Sequence, residues 1–193
     1  MTARSKSKGE DAAASLRTSF PAAKISVWIL QQESYDSITA FAKQCESLPR
    51  IDIAILNIGV GNNEYTIVPS TQHESTMQVN YLSTALVALL LLPILKSKKV
   101  ANSLRPPVLS IVGSDSVYLA TLETDGPVLP QFERRESFDG FAWYWKSKLL
   151  LMLFIPRLAE LVNPEDVLVN LTNPGLTTGT SLFGSRSAMH KFM

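Results

Sequence analysis

The chain has 193 residues, 46% hydrophobic and 18% charged, with a formal net charge of +1. That length is enough for one domain with a real core, and the near-neutral balance excludes an electrostatic binder of nucleic acid or anionic membranes. Cys45 is the one cysteine, which excludes an internal disulfide and points to a reducing, cytoplasmic setting; with His73 and His190 it does not make a usual zinc site, so no metal is expected.

In chain order, Gly9 to Ser19 predicts an alanine-rich helix, with Ala12, Ala13, Leu16 and Phe20 at helical spacing. Lys24 to Leu30 is rich in β-branched residues and predicts a strand. Ser34 to Leu48 predicts a helix on the recurrence of Ile38, Phe41, Ala42 and Cys45, and Pro49 stops it. Ile51 to Leu56 is a short apolar run that suits a strand covered on both faces. Asn57 to Ser70 reads as a loop. A long helix follows from Gln72 to Leu95, apolar nearly all round in its second half, which demands burial on two sides. One side is the sheet; the other suits a partner subunit. Its run Thr84 to Leu95 is too short to span a bilayer, and the first residues of the chain show no apolar leader core.

Pro106-Pro107 opens a strand, Val108 to Val112, and Gly113 to Phe138 is a long polar loop of the kind that often carries function. Gly140 to Val162 predicts a helix that Pro156 should kink or break. Val167 to Leu171 predicts the last strand, and Asn173-Pro174-Gly175 turns out of it. Alternating helices and apolar strands predict a parallel α/β sheet formed as one domain over residues 1–193.

In such a sheet, the loops after the strands gather at one edge, where ligands bind. Those loops carry Asn57 with Gly59, then Ser114, then Asn173-Pro174-Gly175 with Thr177, Thr178 and Thr180. Tyr144 and Lys148 lie one helical turn apart on the helix that follows the Ser114 loop. An ammonium beside a phenol favours the phenolate and is expected to lower the tyrosine pKa from about 10. A serine that orients a carbonyl oxygen, a tyrosine that protonates it and a lysine that holds the tyrosine reactive together suit carbonyl reduction by a nicotinamide. Ser116 is the alternative for the serine role. Trp143 and Trp145 flank the tyrosine and read as packing residues. A Ser-His-Asp hydrolase is excluded by the lack of a Gly-x-Ser-x-Gly elbow.

The sequence resembles the short-chain dehydrogenase/reductases, in particular the fungal, retinol-dehydrogenase-like type. Ala3-Arg4 with Lys8-Gly9-Glu10 resembles the segment after the family's second strand, and Leu56-Asn57-Ile58-Gly59 resembles its Asn-Asn-Ala-Gly. Val79-Asn80, Val112-Gly113-Ser114, Tyr144-x-x-Ser147-Lys148-Leu149 and Asn173-Pro174-Gly175 resemble the catalytic asparagine, the catalytic serine, the Tyr-x-x-Ser-Lys core and the Pro-Gly turn. The resemblance implies a Rossmann-type, doubly wound parallel sheet. It implies that Tyr144 donates the proton, Lys148 tunes it and holds a ribose, Ser114 clamps the substrate oxygen, and Asn80 holds a relay water. It places Asn57 near the adenosine ribose, Thr177 and Thr178 near the carboxamide, Gln31 where an aspartate usually touches adenine, and Arg4 against a 2′-phosphate, favouring NADP over NAD.

The family's first strand and its Gly-x-x-x-Gly-x-Gly turn have no counterpart here, so the expectation is a fold truncated at its N-terminus with weakened cofactor binding. Ile58 replaces a small alanine, and the residues after the Pro-Gly turn fall short of the usual lid and last strand. The activity expected is NADP-dependent oxidoreduction of a ketone or alcohol on a small lipophilic molecule of fungal secondary metabolism. The rival expectation is a non-catalytic remnant that pairs through the helices over 72–95 and 140–162, with a second copy as a homodimer or with a full-length relative.

Overall fold

The computed structural model describes residues 1–100, 103–175, 177 and 182. Two short strands, β1 (Thr2–Ala3) and β2 (Trp28–Ile29), pair in parallel across helix α1 (Lys6–Ser19). Helix α2 (Tyr35–Glu46) follows, capped by the Ser34 side chain, which accepts from the Ser37 N–H. Strands β3 (Ile53–Leu56), β4 (Val108–Val112) and β5 (Leu168–Thr172) form a second parallel sheet in that order, with β4 central. Between β3 and β4 runs one continuous helix, Ser75–Ser97, made of α3 (Ser75–Met77), a π-helical stretch (Gln78–Ser83) and α4 (Thr84–Ser97). Between β4 and β5 lies α5 (Gly140–Leu161).

The predicted elements are all present, with informative differences. The strand expected over Lys24 to Leu30 shrinks to Trp28–Ile29, the two residues that β1 can pair. The long helix begins at Ser75 rather than Gln72, because Gln72 holds a left-handed φ of 61° that a right-handed helix cannot contain. Pro156 does not break α5. It lies on the exposed side, where water can serve the carbonyl that its ring leaves without a donor. The parallel sheet is divided: among the described residues, β1–β2 and β3–β4–β5 are separate ladders.

One core nevertheless joins them. Leu30 and Trp28 of the first sheet pack with α2, α4 and α5 against Leu109 and Ile111 of β4, flanked by Ala54 and Leu56 of β3. Burying an aliphatic side chain of this size contributes about 1.5–3 kcal/mol, so the α2/α4/α5 face anchors the fold. The opposite face is open. Register places Ile53, Val108 and Leu168 in one row and Ile55, Ser110 and Asn170 in the next. Ile53 and Ile55 are 62% and 64% exposed. By length and composition Ser75–Ser97 could cross a membrane, but its buried residues Val87, Ala88, Leu91 and Leu95 are part of this core.

Gly140 sets the entry of α5. A side chain there would meet the Asn62 carbonyl oxygen at 2.0 Å, so only glycine lets the helix start against that loop. Asp139 caps the same helix by accepting from the Ala142 N–H.

Candidate active site

Three strand ends meet at one edge of the β3–β4–β5 sheet: Asn57 after β3, Ser114 two residues after β4, and Asn173 after β5. Ser114 is extended and caps the 3-10 turn Asp115–Leu119, its hydroxyl oxygen accepting the Ser116 N–H at 3.2 Å. The same oxygen lies 2.8 Å from Ser116 Oγ, and the Ser114 hydroxyl lowers the pKa of the Tyr144 phenol. Lys148 reaches the same corner one turn along α5. Its ammonium donates to the Val112 carbonyl at 2.9 Å and stands 6.0 Å from the Tyr144 ring centre. Tyr144 is 8% exposed and Lys148 3%.

Burial governs both titrating groups. It lowers the Lys148 ammonium from 10.5 to about 8. It raises the Tyr144 phenol above its ordinary value; the Ser114 hydrogen bond acts against this, and the Asp115 charge adds to it. The expected downward shift of Tyr144 by Lys148 is therefore not seen. Desolvation of the ring oxygen outweighs a cation whose nearest polar contact is the Val112 carbonyl.

Asn80 sits on the π-helical stretch, where the α-helical ladder is interrupted, and is fully buried. Its Oδ1 accepts the Val60 N–H at 2.8 Å, and its Nδ2 donates to the Val60 carbonyl at 2.9 Å and to Ser147 Oγ at 3.0 Å. Both amide hydrogens are thus committed to protein partners, so the side chain acts as a clamp rather than as the expected holder of a water. Ser147 passes the link on by donating to the Tyr144 carbonyl at 2.7 Å. Gly59 lies in the same corner: a Cβ there would be 3.4 Å from Lys148 Nζ and 3.6 Å from Asn80 Oδ1.

The remaining candidates lie farther out. Asn57 is exposed. Arg4 and Gln31 are exposed just beyond β1 and β2, and so belong to the other sheet. Thr177 is exposed and donates to the Gly175 carbonyl at 3.4 Å, while Thr178, Thr180 and His190 lie outside the described residues. Trp143 packs edge-on against Phe132 and Phe138, as a packing residue should. Sequence reasoning offered Ser116 only as the alternative to Ser114 and Ser147 only as part of the Tyr-x-x-Ser-Lys core; it did not show that the two serines bond each other or that Lys148 reaches the Val112 carbonyl.

The sequence and the fold both have known relatives. No protein-family model matches the sequence. The chain is 58% identical over 189 residues to the short chain dehydrogenase virL of Hypocrea virens, covering 98% of this chain and 55% of that one. It is 45% identical over 185 residues to the short chain dehydrogenase/reductase mfmJ of Annulohypoxylon moriforme, covering 94% and 53%. It is 45% identical over 190 residues to the short chain dehydrogenase opdN of Penicillium oxalicum, covering 94% and 61%. The chain thus spans about half the length of the curated relatives it matches. Among solved structures, a short-chain dehydrogenase from Sphingobium yanoikuyae in complex with NADPH shares the fold at TM-score 0.65 and 17% identity, over 94% of this chain and 62% of that one. An alcohol dehydrogenase from Thermococcus sibiricus complexed with 5-hydroxy-NADP does so at TM-score 0.65 and 18% identity, over 96% and 68%. With its Rossmann-type α/β fold and fungal relatives at this level of identity, the chain belongs to the short-chain dehydrogenase/reductase family.

Proposed function

We propose that this chain carries the catalytic groups of an NADP-dependent oxidoreductase that interconverts a ketone and an alcohol on a small lipophilic molecule of fungal secondary metabolism. One observation carries the reading: the Ser114 hydroxyl acts on the Tyr144 phenol at a sheet edge, with Lys148 one turn away. The dehydrogenase names of the relatives and the NADP ligands of the structural neighbours support it.

The residues fit the nicotinamide end of such a cofactor. Lys148 is a buried cation beside Gly59, whose missing side chain leaves its backbone open to close approach. Lys148 would hold the ribose, Asn57 the adenosine side, Thr177 and Thr178 the carboxamide, Gln31 the adenine edge, and Arg4 a 2′-phosphate. A bound nicotinamide supplies or accepts a hydride at the substrate carbon. Tyr144 supplies the proton to the carbonyl oxygen, and the electron pair of its O–H bond stays on the phenolate. Ser114 orients that oxygen by a hydrogen bond. Lys148, still protonated at neutral pH with its pKa near 8, favours the phenolate electrostatically. The Asn80–Ser147 clamp keeps the Val60 loop and the Tyr144 turn in fixed relation. Residence in the cytoplasm and a single nucleotide-binding domain over residues 1–193 are part of the same proposal.

The test is turnover and cofactor titration by nicotinamide fluorescence on wild type and Tyr144→Phe. Saturable micromolar binding in both, with turnover lost in the variant, supports the reading; equal turnover removes it. A second reading, pairing of two copies without catalysis, is favoured by Leu89 on α4 and Leu153 on α5, which are 49% and 53% exposed. No cofactor binding at millimolar concentration, together with a dimer in sedimentation that Leu89→Lys dissolves, would establish that reading instead.

A further inference from the structure

Two hydrogen bonds tie the Ser114 hydroxyl to Ser116, one from the Ser116 N–H at 3.2 Å and one between the hydroxyls at 2.8 Å, and the third neighbour is the Tyr144 phenol, whose pKa the Ser114 hydroxyl lowers. A hydroxyl offers two lone pairs and one proton, so these neighbours fill it. The backbone N–H takes one lone pair and cannot reverse. One lone pair and one proton remain, to be divided between Ser116 Oγ and Tyr144 Oη. Two arrangements satisfy this count. In the first, Ser116 donates to Ser114, and Ser114 donates to the phenol oxygen or to a substrate oxygen beside it. In the second, Tyr144 donates to Ser114, and Ser114 donates to Ser116. The second turns the phenolic proton inward, away from any substrate, and leaves Ser114 with no proton for a carbonyl oxygen.

We propose that Ser116 is a positioning residue whose hydroxyl, by donating to Ser114, sets the direction of this chain of hydroxyls and makes Ser114 the donor at the reacting oxygen. Its catalytic meaning rests on the oxidoreductase reading above; the hydrogen-bond geometry does not. In reduction, the Tyr144 O–H bond breaks as the substrate O–H bond forms. The phenolate left behind can only accept hydrogen bonds, so only the first arrangement serves it. Ser116 therefore stabilises phenolate more than phenol, because it strengthens a charge-assisted bond through its neighbour. The charged groups facing the phenol are Lys148 on its own helix and Asp115 on the 3-10 turn. Substitution at Ser116 changes neither.

The experiment is an ultraviolet phenolate titration of the full chain, with Tyr144 isolated by subtracting Tyr144→Phe. Ser116→Ala is expected to move the Tyr144 transition upward by about half to one pH unit, and Ser116→Thr to restore it. An unmoved transition in Ser116→Ala overturns the proposal. So does an equal shift in both variants, since packing rather than the hydroxyl would then be responsible. Turnover by Tyr144→Phe at the wild-type rate would sink the oxidoreductase reading instead, without moving the titration.

Discussion

Replacing Lys148 by methionine should make the fold more stable. Burial lowers this ammonium from 10.5 to about 8, roughly 2.5 units. At about 1.36 kcal/mol per unit, the folded state loses about 3 kcal/mol by carrying the proton. Methionine keeps the length and apolar stem and gives up the bond to the Val112 carbonyl, which contributes about 1 kcal/mol. The net gain near neutral pH is about 2 kcal/mol. Its pH dependence has a definite sign. The folded pKa lies below the unfolded one, so the cost of the charge is fully present below pH 8, where both states are protonated. It shrinks as pH rises from 8 to 10.5, because the folded wild type releases its proton first. Urea unfolding of both proteins at about pH 7 and about pH 10 reads this directly, as a shift in midpoint at constant slope. A methionine variant no more stable than wild type at neutral pH, or a gain that does not fade in base, refutes the reasoning. The variant should also lose turnover, which would make Lys148 a residue retained for activity against stability.

The other predictions concern the surroundings of the site. Ser147→Ala leaves an Asn80 amide hydrogen short of a partner in a fully buried place; it should cost about 1–3 kcal/mol in urea, and a cost under about 0.5 kcal/mol would contradict the clamp. Glu74 is buried, its carboxyl pKa is raised by desolvation, and it accepts the Met77 N–H at the start of α3. Its charge therefore destabilises the fold above its folded pKa and ceases to matter once acid protonates both states. Glu74→Gln keeps the accepting oxygen, so thermal melts should show it above wild type at neutral pH and level with it in acid. On β3 and β4, Ile53→Lys should change stability by no more than about 0.5 kcal/mol, while Leu109→Ala should cost about 2–5 kcal/mol. Similar costs for the two would mean that the open sheet face is misassigned.

Elements whose residues face one packed layer were readable from sequence. The β4 run Val108–Val112 came out to the residue, because Val108, Leu109, Ile111 and Val112 make it a short β-branched, apolar run and Pro106-Pro107 precedes it. The start of the long helix was not readable. Gln72 and His73 fit the helical pattern, and only the left-handed φ of Gln72 removes them. The Ser114, Tyr144 and Lys148 cluster was legible as a set of types and spacings, and the fold brings it together. What spacing could not show was the electrostatic outcome. The sign of the Tyr144 shift depends on how much water the ring loses, and that is a property of Trp143, Ser147 and the loop after β4 packed around it, not of the Tyr-to-Lys interval.

The geometry also explains why these intervals go together. Tyr144 is acted on by Ser114 and Lys148 bonds the Val112 carbonyl, so four residues on α5 are matched by two residues on the β4 end, read in the opposite direction. Four residues of helix rise about 6 Å and two residues of extended chain rise about 6.6 Å. A helix packed antiparallel to its preceding strand therefore meets the two anchors in step. The side-chain hydroxyl at one end and the backbone carbonyl at the other both come from the stretch that leaves the sheet centre. The phenol and the ammonium are thus both held against the end of the central strand, β4.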